Sequence, residues 1–381
     1  MPASNKKSVV IIGAGIAGLT AALCLKRHSI KAEIIERRET ITTQGAGIQI
    51  TPNAYHVLNL LGLGSKLKKA SHQVEHLSVF KASTGKLITK MPLGQDFEKT
   101  YGAPYLVLKR QQLLDILSRE TAKQKIKITF DKEYKSHKAK KNDIIIGADG
   151  VWSKVREDIN DADARFSGRT AYRALIPAKA AASTTLNDLS MWLGDQAHFV
   201  AYPADQSGTL NLVFIVKSTL IENRWSSPAK KAEIMQHLTG WNKDVIRLIE
   251  LGENWQRWPL YTVPPKHSWS KGNKVLIGDA AHAMLPFLAQ GGAMAIEDAA
   301  SLATRLADSP STSDALKAYQ SSRQKRVARI YTESKANGAR YHWSGILAGL
   351  RDIGLKTMGG KRLQQRYDWI YGWKPIDFDK K

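Results

Sequence analysis

The sequence predicts an α/β protein: a parallel sheet with crossover helices, interrupted by an inserted antiparallel sheet and closed by C-terminal helices. Three observations lead there. A strand–glycine turn–helix–strand pattern fills the first 36 residues, and two later apolar runs end in the same glycine-and-aspartate chemistry. Between these runs lie segments rich in β-formers with partial apolar/polar alternation, the period of half-buried strands.

The first unit is built from Val9 to Ile12, an apolar run with the character of a buried parallel strand. Gly13-Ala14-Gly15-Ile16-Ala17-Gly18 follows, Leu19 to Arg27 reads as a helix, and Lys31 to Glu36 as a second strand ending in an acid. Gly13, Gly15 and Gly18 form G-x-G-x-x-G. The first permits the tight turn, the second lets backbone approach a pyrophosphate, and the third lets helix and strand pack closely. The helix start offers free N–H groups to phosphates. Glu36, 23 residues after Gly13, stands where a carboxylate accepts ribose hydroxyl protons. This Rossmann-like unit makes Gly13, Gly15, Ala17, Gly18, Glu36 and Arg37 candidate cofactor contacts. Alone it does not separate NAD from FAD.

Asp143 to Gly150 and Lys274 to Asp279 repeat the strand-then-glycine pattern, as strands returning to one cofactor site would. Ser78 to Met91, Arg173 to Pro177, Met191 to Tyr202 and Thr209 to Lys217 supply the inserted sheet. From Gly291 to about Ala336 the pattern is helical, and the remaining Tyr- and Trp-bearing stretch reads as a helical cover for the core. The expected division is a discontinuous nucleotide-binding domain (1–75, 100–170 and 268–340), a substrate-binding sheet domain (76–99 and 171–267) and a C-terminal helical segment (341–381).

Composition narrows the function classes. With 43% hydrophobic and 24% charged residues the 381-residue chain is an ordinary globular protein. Fifty-seven Lys plus Arg against 34 Asp plus Glu give a net charge of +23. The excess is spread along the chain, with short clusters at Lys66 to Lys69 and Lys135 to Lys141, so a small anionic substrate steered by the field fits better than nucleic acid. The single Cys24 excludes an intrachain disulfide and points to a reducing compartment. Lys6 and Lys7 before the apolar run Val9 to Leu25 imitate a signal peptide, but the run carries three motif glycines and falls short of the ~20 residues of a span. A cytoplasmic protein without a membrane span, monomeric or homodimeric, is expected. No Cys/His cluster has zinc spacing, and no G-x-S-x-G accompanies His282, which argues against a metal site and a hydrolase.

Two further motifs separate the cofactors. Asp149-Gly150-Val151-Trp152-Ser153-Lys154-Val155-Arg156 resembles the DGxxSxxR motif of the single-component FAD-dependent aromatic hydroxylases, and Gly278-Asp279 with Pro286, Gly291 and Gly292 resembles their GD motif. Order and spacing match to about Ala299. Gly45 to Ala54 and Tyr101 to Tyr105 look like the corresponding segments of salicylate hydroxylase and 6-hydroxynicotinate 3-monooxygenase. The resemblance implies a p-hydroxybenzoate hydroxylase-like architecture, FAD as cofactor, NADH or NADPH as transient co-substrate, and O2 insertion into a small aromatic carboxylate. Salicylate to catechol is the first expectation. An N-heteroaromatic acid hydroxylase, and a flavin oxidase or reductase without oxygen insertion, are the alternatives; a basic binding module is the non-enzyme reading.

The same resemblance puts Gly47, Ile48, Arg110, Asp149, Gly278, Asp279, Pro286, Gly291 and Gly292 beside FAD. Asp279 after its strand suits a ribityl hydroxyl, and the glycine pair at a helix start suits charge developing on the flavin ring. For Asp149 an Asp-Gly turn is the competing structural reading. His198 and Tyr202, four apart on one strand face, resemble a substrate-serving pair, and either is a candidate for deprotonating the substrate hydroxyl. Arg173 is a candidate for the substrate carboxylate or for bracing two domains. Gln49 replaces a further histidine of the nicotinate enzyme, a departure from that pattern.

Overall fold

A computed structural model describes residues 8–41, 47–135, 143–219 and 226–375. Val9–Ile12 lies near the middle of a six-stranded sheet, flanked in parallel by Ala32–Ile35 and Ile144–Gly147, and every residue of it is buried. Lys127–Thr129 extends one side, and Lys274–Leu276 with Ser270–Lys271 the other. Only the last pair is antiparallel. The crossover helix Ile16–Arg27 is apolar nearly all round because the sheet covers one side and the helix Gly291–Asp308 the other. Lys26 and Arg27 in its last turn complement the helix dipole.

The inserted sheet has eight strands, in the order Ser227–Pro228, Glu253–Thr262, Arg165–Ile176, Leu210–Lys217, Ala197–Pro203, Leu189–Leu193, His76–Lys81 and Leu87–Pro92. Its antiparallel character has one exception: Leu189–Leu193 runs parallel to His76–Lys81. A parallel neighbour needs a long crossover, and the chain from Lys81 to Leu189 supplies it by passing through the nucleotide-binding unit. The Ser78 to Met91 segment is accordingly a hairpin contributed from outside the main insertion. A third small sheet joins Gly47–Ile50, Leu106–Lys109 and His72–Gln73. No strand is predicted there because each is four residues or fewer and lacks room for a period.

Alternation along the large sheet sorts its faces. Tyr172, Ala174, Phe199, Ala201, Leu212 and Phe214 pack against helices carrying Ile234, Val245, Leu248 and Ile249. Arg173, Val213 and Val200 stand side by side in register on the other face, with His198 and Tyr202 two residues either way from Val200. That face looks toward the nucleotide-binding unit.

The helical C-terminal region is broken where the sequence reads Ser309-Pro310-Ser311. Gly291–Asp308 ends there, and Ser311 caps Thr312–Tyr341 by accepting the Asp314 N–H at 3.1 Å. Gly345–Gln365 follows, bent at Gly359 (φ 70°). At the neighbouring Gly360 a Cβ would stand 1.8 Å from the Lys90 carbonyl oxygen, so the helix lies directly on the sheet edge. Tyr367 and Tyr371 are buried with Phe97, Tyr101 and Tyr105, while Trp369 and Trp373 stack on Arg326. Among the described residues no helix is long and apolar enough to cross a membrane.

Candidate active site

A groove of about 210 Å³ runs along the carboxyl ends of the parallel strands. Gly13, Gly15, Ala17, Glu36, Arg37, Arg110, Asp149, Asp279, Gly291 and Gly292 all line it. The glycines divide by what surrounds them. Gly13 has φ +106°, and a Cβ there would meet the Ala148 carbonyl oxygen at 2.5 Å; at Gly18 it would lie 1.9 Å from the Gly13 oxygen. Those two are dictated by the fold. Gly15 has φ −79°, open to any residue, and neither it nor Gly291 has any atom of the described residues within 4 Å of a would-be Cβ. Their bareness faces the groove. The helix beginning at Ile16 has no side-chain cap, which leaves its first N–H groups available to an anion. These features fit a dinucleotide pyrophosphate. Glu36 ends its strand with Oε2 accepting the Ala14 N–H (2.7 Å) and Oε1 the Arg38 N–H (3.0 Å), holding the carboxylate at the groove wall.

Gly278, with φ +59°, does not line the groove. It packs toward Ala17 and Ala295 and donates its N–H to Asp298 at 2.9 Å. Asp149 lines the groove with a carboxylate already engaged. Oδ1 accepts from Ser153 Oγ (2.5 Å), and Oδ2 from the Lys154 and Val155 N–H groups (2.7 and 3.2 Å). Burial pushes its pKa upward against these bonds. Arg156, the last residue of that motif, donates to the carbonyls of Ala162, Ala280 and Val151 at 2.7–2.9 Å. The motif spacing thus latches the turn after one strand to the turn after another.

Behind the groove lies a buried polar network. Thr51 donates to Asn53 (2.6 Å), Asn53 to Gln290 (3.0 Å) and Glu297 (2.6 Å), and Gln290 to Thr51 (3.1 Å). Arg323 bridges Glu297 and Asp298, and Asp298 also bonds His282 Nε2 at 2.6 Å. Burial alone would raise the Asp298 pKa; His282 and Arg323 overcome it and hold it at about 2. His282 is therefore a structural residue. Residues of three separate segments meet here to fix the start of the helix at Gly291.

Arg110, Val151, Trp152, Asp279, Gly291 and Gly292 also line a second chamber of about 250 Å³, so groove and chamber are continuous. Gly47, Ile48 and Pro286 belong to this chamber, with Arg173, His198, Tyr202 and Trp258. Arg110 is half-buried; desolvation lowers its pKa, while Asp279 beside it works the other way. Arg173 lies over the Trp258 ring at 5.1 Å, and its buried Nε has no partner among the described residues. Burial brings its pKa down to about 10, still a cation at neutral pH. Tyr202 reaches in beside Gly47, where a Cβ would stand 2.5 Å from its hydroxyl. Burial pushes that hydroxyl up to about 12. Gln49 bonds both the Tyr202 and Tyr105 hydroxyls, which holds its amide in place; an amide, it offers no base where the nicotinate enzyme has a histidine. His198 bonds His342 through Nδ1 at 2.8 Å, and burial, then His342 and Arg169, lowers its pKa far below the usual imidazole value.

A third cavity, of about 370 Å³, shares Gln49, His198, Val200, Pro286 and Ala289 with the chamber and is otherwise walled by Tyr105, Tyr341, Leu355 and Tyr371. Its far wall comes from the C-terminal helices. Gln290, Trp258 and His342 escaped the sequence reading, and Asn53 and Tyr105 stood in its motif segments without an assigned role. Gln290 adjoins the quoted Gly291, a usable signal; Trp258 and His342 carry none.

Every candidate for FAD except Gly18 and Gly278 lines this continuous surface, and known proteins of similar sequence and shape agree with its form. The family described as FAD binding domain matches residues 6–144 and 141–334. The 3-hydroxybenzoate 6-hydroxylase 1 of Aquipseudomonas alcaligenes is 34% identical, over 97% of this chain and 98% of its own length. The 6-hydroxynicotinate 3-monooxygenase of Bordetella bronchiseptica is 29% identical over 87% and 92%. A salicylate hydroxylase solved with its substrate superposes with a TM-score of 0.82 at 22% identity, covering 98% of both chains. The chain belongs to the FAD-dependent aromatic hydroxylases. It is a flavoprotein monooxygenase of that family, with FAD as its cofactor and NAD(P)H as its reductant.

Proposed function

We propose that the chain hydroxylates a small ring acid that already carries a hydroxyl, 3-hydroxybenzoate foremost, to give 2,5-dihydroxybenzoate. One O2 and one NAD(P)H with a proton are consumed; one oxygen atom enters the ring and the other leaves as water. The observation that carries this reading is Arg173, a half-buried cation whose buried Nε has no partner among the described residues, in an aromatic-walled chamber at the end of the FAD groove. A guanidinium with a buried Nε and no carboxylate partner among the described residues calls for an anionic ligand. The choice of ring acid follows the 3-hydroxybenzoate 6-hydroxylases of Aquipseudomonas alcaligenes and Polaromonas naphthalenivorans, 34% and 33% identical.

FAD, held by the groove residues, supplies electron transfer from NAD(P)H and the activation of O2. The chain's residues do the rest. Arg173 takes the substrate carboxylate. Val200, Val213, Ile215 and Leu260 keep the chamber apolar and exclude water. Trp258 flanks the ring, and His198 and Tyr202 face its hydroxyl. Position 6 is para to a hydroxyl at position 3, the carbon that oxygen enriches most. In this reading residues 171–267 with 76–99 form the substrate side, and the groove segments the FAD side.

The test is NADH oxidation by the FAD-loaded protein with 3-hydroxybenzoate, salicylate or 6-hydroxynicotinate, following product and H2O2 together. 2,5-Dihydroxybenzoate equal to NADH consumed is expected. Catechol from salicylate in that ratio would replace the substrate by the one the motifs suggest, and H2O2 alone from all three would overturn the reading. Arg173→Met is expected to raise KM for the ring acid by roughly 10- to 100-fold, the value of a charge-assisted bond, with FAD content unchanged; an unchanged KM would remove Arg173 from the site.

A further inference from the structure

His198 sits where two cavities meet, and its two ring nitrogens have different surroundings. Nδ1 is 2.8 Å from His342 Nε2, whereas Nε2 has no protein partner among the described residues. His342 caps the C-terminal end of Thr312–Tyr341, and its own Nδ1 is 3.4 Å from Arg169 Nε. Arg169 is placed by a second bond to the Gly338 carbonyl and by the Phe287 ring 5.6 Å away.

The hydrogen-bonding inventory fixes what this row can be. A guanidinium only donates, so the His342 nitrogen facing it must be the acceptor and carries no proton. A neutral His342 then has its proton on Nε2 and donates it to His198 Nδ1. His198, accepting at Nδ1, has its own proton on Nε2, toward the cavities. We infer that Arg169 and His342 are positioning residues that lock His198 in the Nε2–H tautomer, so that His198 presents a hydrogen-bond donor to the substrate hydroxyl oxygen rather than a base. Both imidazoles are held neutral in support of this. Burial, then Arg169 and Arg351, brings the His342 pKa to about 3.

A donor at that oxygen favours the ionised hydroxyl without His198 taking its proton. Tyr202, kept protonated by burial, is a second donor and not a competing base. The inference borrows from the proposed function only that a hydroxylated ring occupies the chamber; the tautomer itself stands without it.

The test is imidazole 15N NMR of the FAD-loaded protein at neutral pH, with the His198 signals assigned by their loss in His198→Asn. A protonated Nε2 and an unprotonated Nδ1 are expected. His342→Gln can still accept from Arg169 and donate to His198, and should leave that pattern and the product formed per NADH unchanged. His342→Leu should let the Nδ1–H form appear and lower turnover of the ring acid by about tenfold, the value of one hydrogen bond to a charged group, at unchanged FAD content. A His198 carrying its proton on Nδ1 or on both nitrogens in the unmodified protein would overturn the inference. So would a tautomer unmoved in His342→Leu. If no ring acid is turned over, the proposed function fails while the NMR result still decides the tautomer.

Discussion

Arg323→Met is expected to destabilise the protein by about 3–5 kcal/mol, on the order of a third of the stability of a typical domain. Arg323 is 2% exposed and bridges Glu297 and Asp298, both fully buried. Methionine fills much of its volume but takes a guanidinium away from two buried carboxylates. Arg326 still holds Glu297 at 2.8 and 2.9 Å, so the larger loss falls on Asp298, which keeps His282 and the Gly278 N–H but loses its guanidinium. Thermal unfolding of the FAD-loaded protein should drop by on the order of 5 °C. Adding Asp298→Asn, which removes the stranded charge, should recover part of that drop. A double variant worse by the sum of the two single losses would mean the carboxylate was not the cause. The acid limb follows the same logic. Asp298 has a folded pKa of about 2 against an ordinary 3.8, so its contribution is complete above about pH 4 and disappears as pH falls toward 2.

Gly18→Ala and Gly15→Ala should separate what the fold needs from what the cofactor needs. At Gly18 the new methyl would sit 1.9 Å from the Gly13 carbonyl oxygen, with Ile11 Cγ2 at 3.3 Å. The obstacle is backbone of the turn itself, so the helix must move off its strand at a cost of about 1–3 kcal/mol or more. FAD should be lost as well, because the turn that would cradle the pyrophosphate is displaced. Gly15→Ala meets no atom of the described residues within 4 Å and needs no unusual φ. It should unfold like the parent without FAD, yet retain far less flavin after gel filtration, read from the ratio of flavin to protein absorbance. Equal flavin retention in Gly15→Ala would mean that the groove does not bring the pyrophosphate to that residue.

The flavin half of the molecule was legible because sterics and spacing constrain its residues tightly. Gly13 and Gly18 are forced by contacts within a strand–turn–helix, and Arg156 stands at a fixed distance from Asp149 because it must reach three carbonyls. The sheet face was half legible: a period of two places His198, Val200 and Tyr202 together, but cannot say that Arg173 is two strands away in register. The parallel pairing of Leu189–Leu193 with His76–Lys81 joins segments over a hundred residues apart and leaves no local mark. Nor does the His198–His342 bond, which depends on where a 30-residue helix happens to end. Asp149 shows the opposite hazard, since a motif aspartate in a cofactor groove has its carboxylate spent on the turn that follows.

The C-terminal helices supply much of the wall of the third cavity, from Asn337 to Tyr371, whereas among the described residues none lining the FAD groove lies beyond Ala295. The chain is therefore assembled like a tool with an exchangeable jaw. Grafting residues 337–371 from one relative to another would reshape the space beside His198 and leave the redox machinery as it was. Divergence among such enzymes has a physical path open to it: drift in the last tenth of the chain changes what can be accommodated without disturbing how electrons arrive.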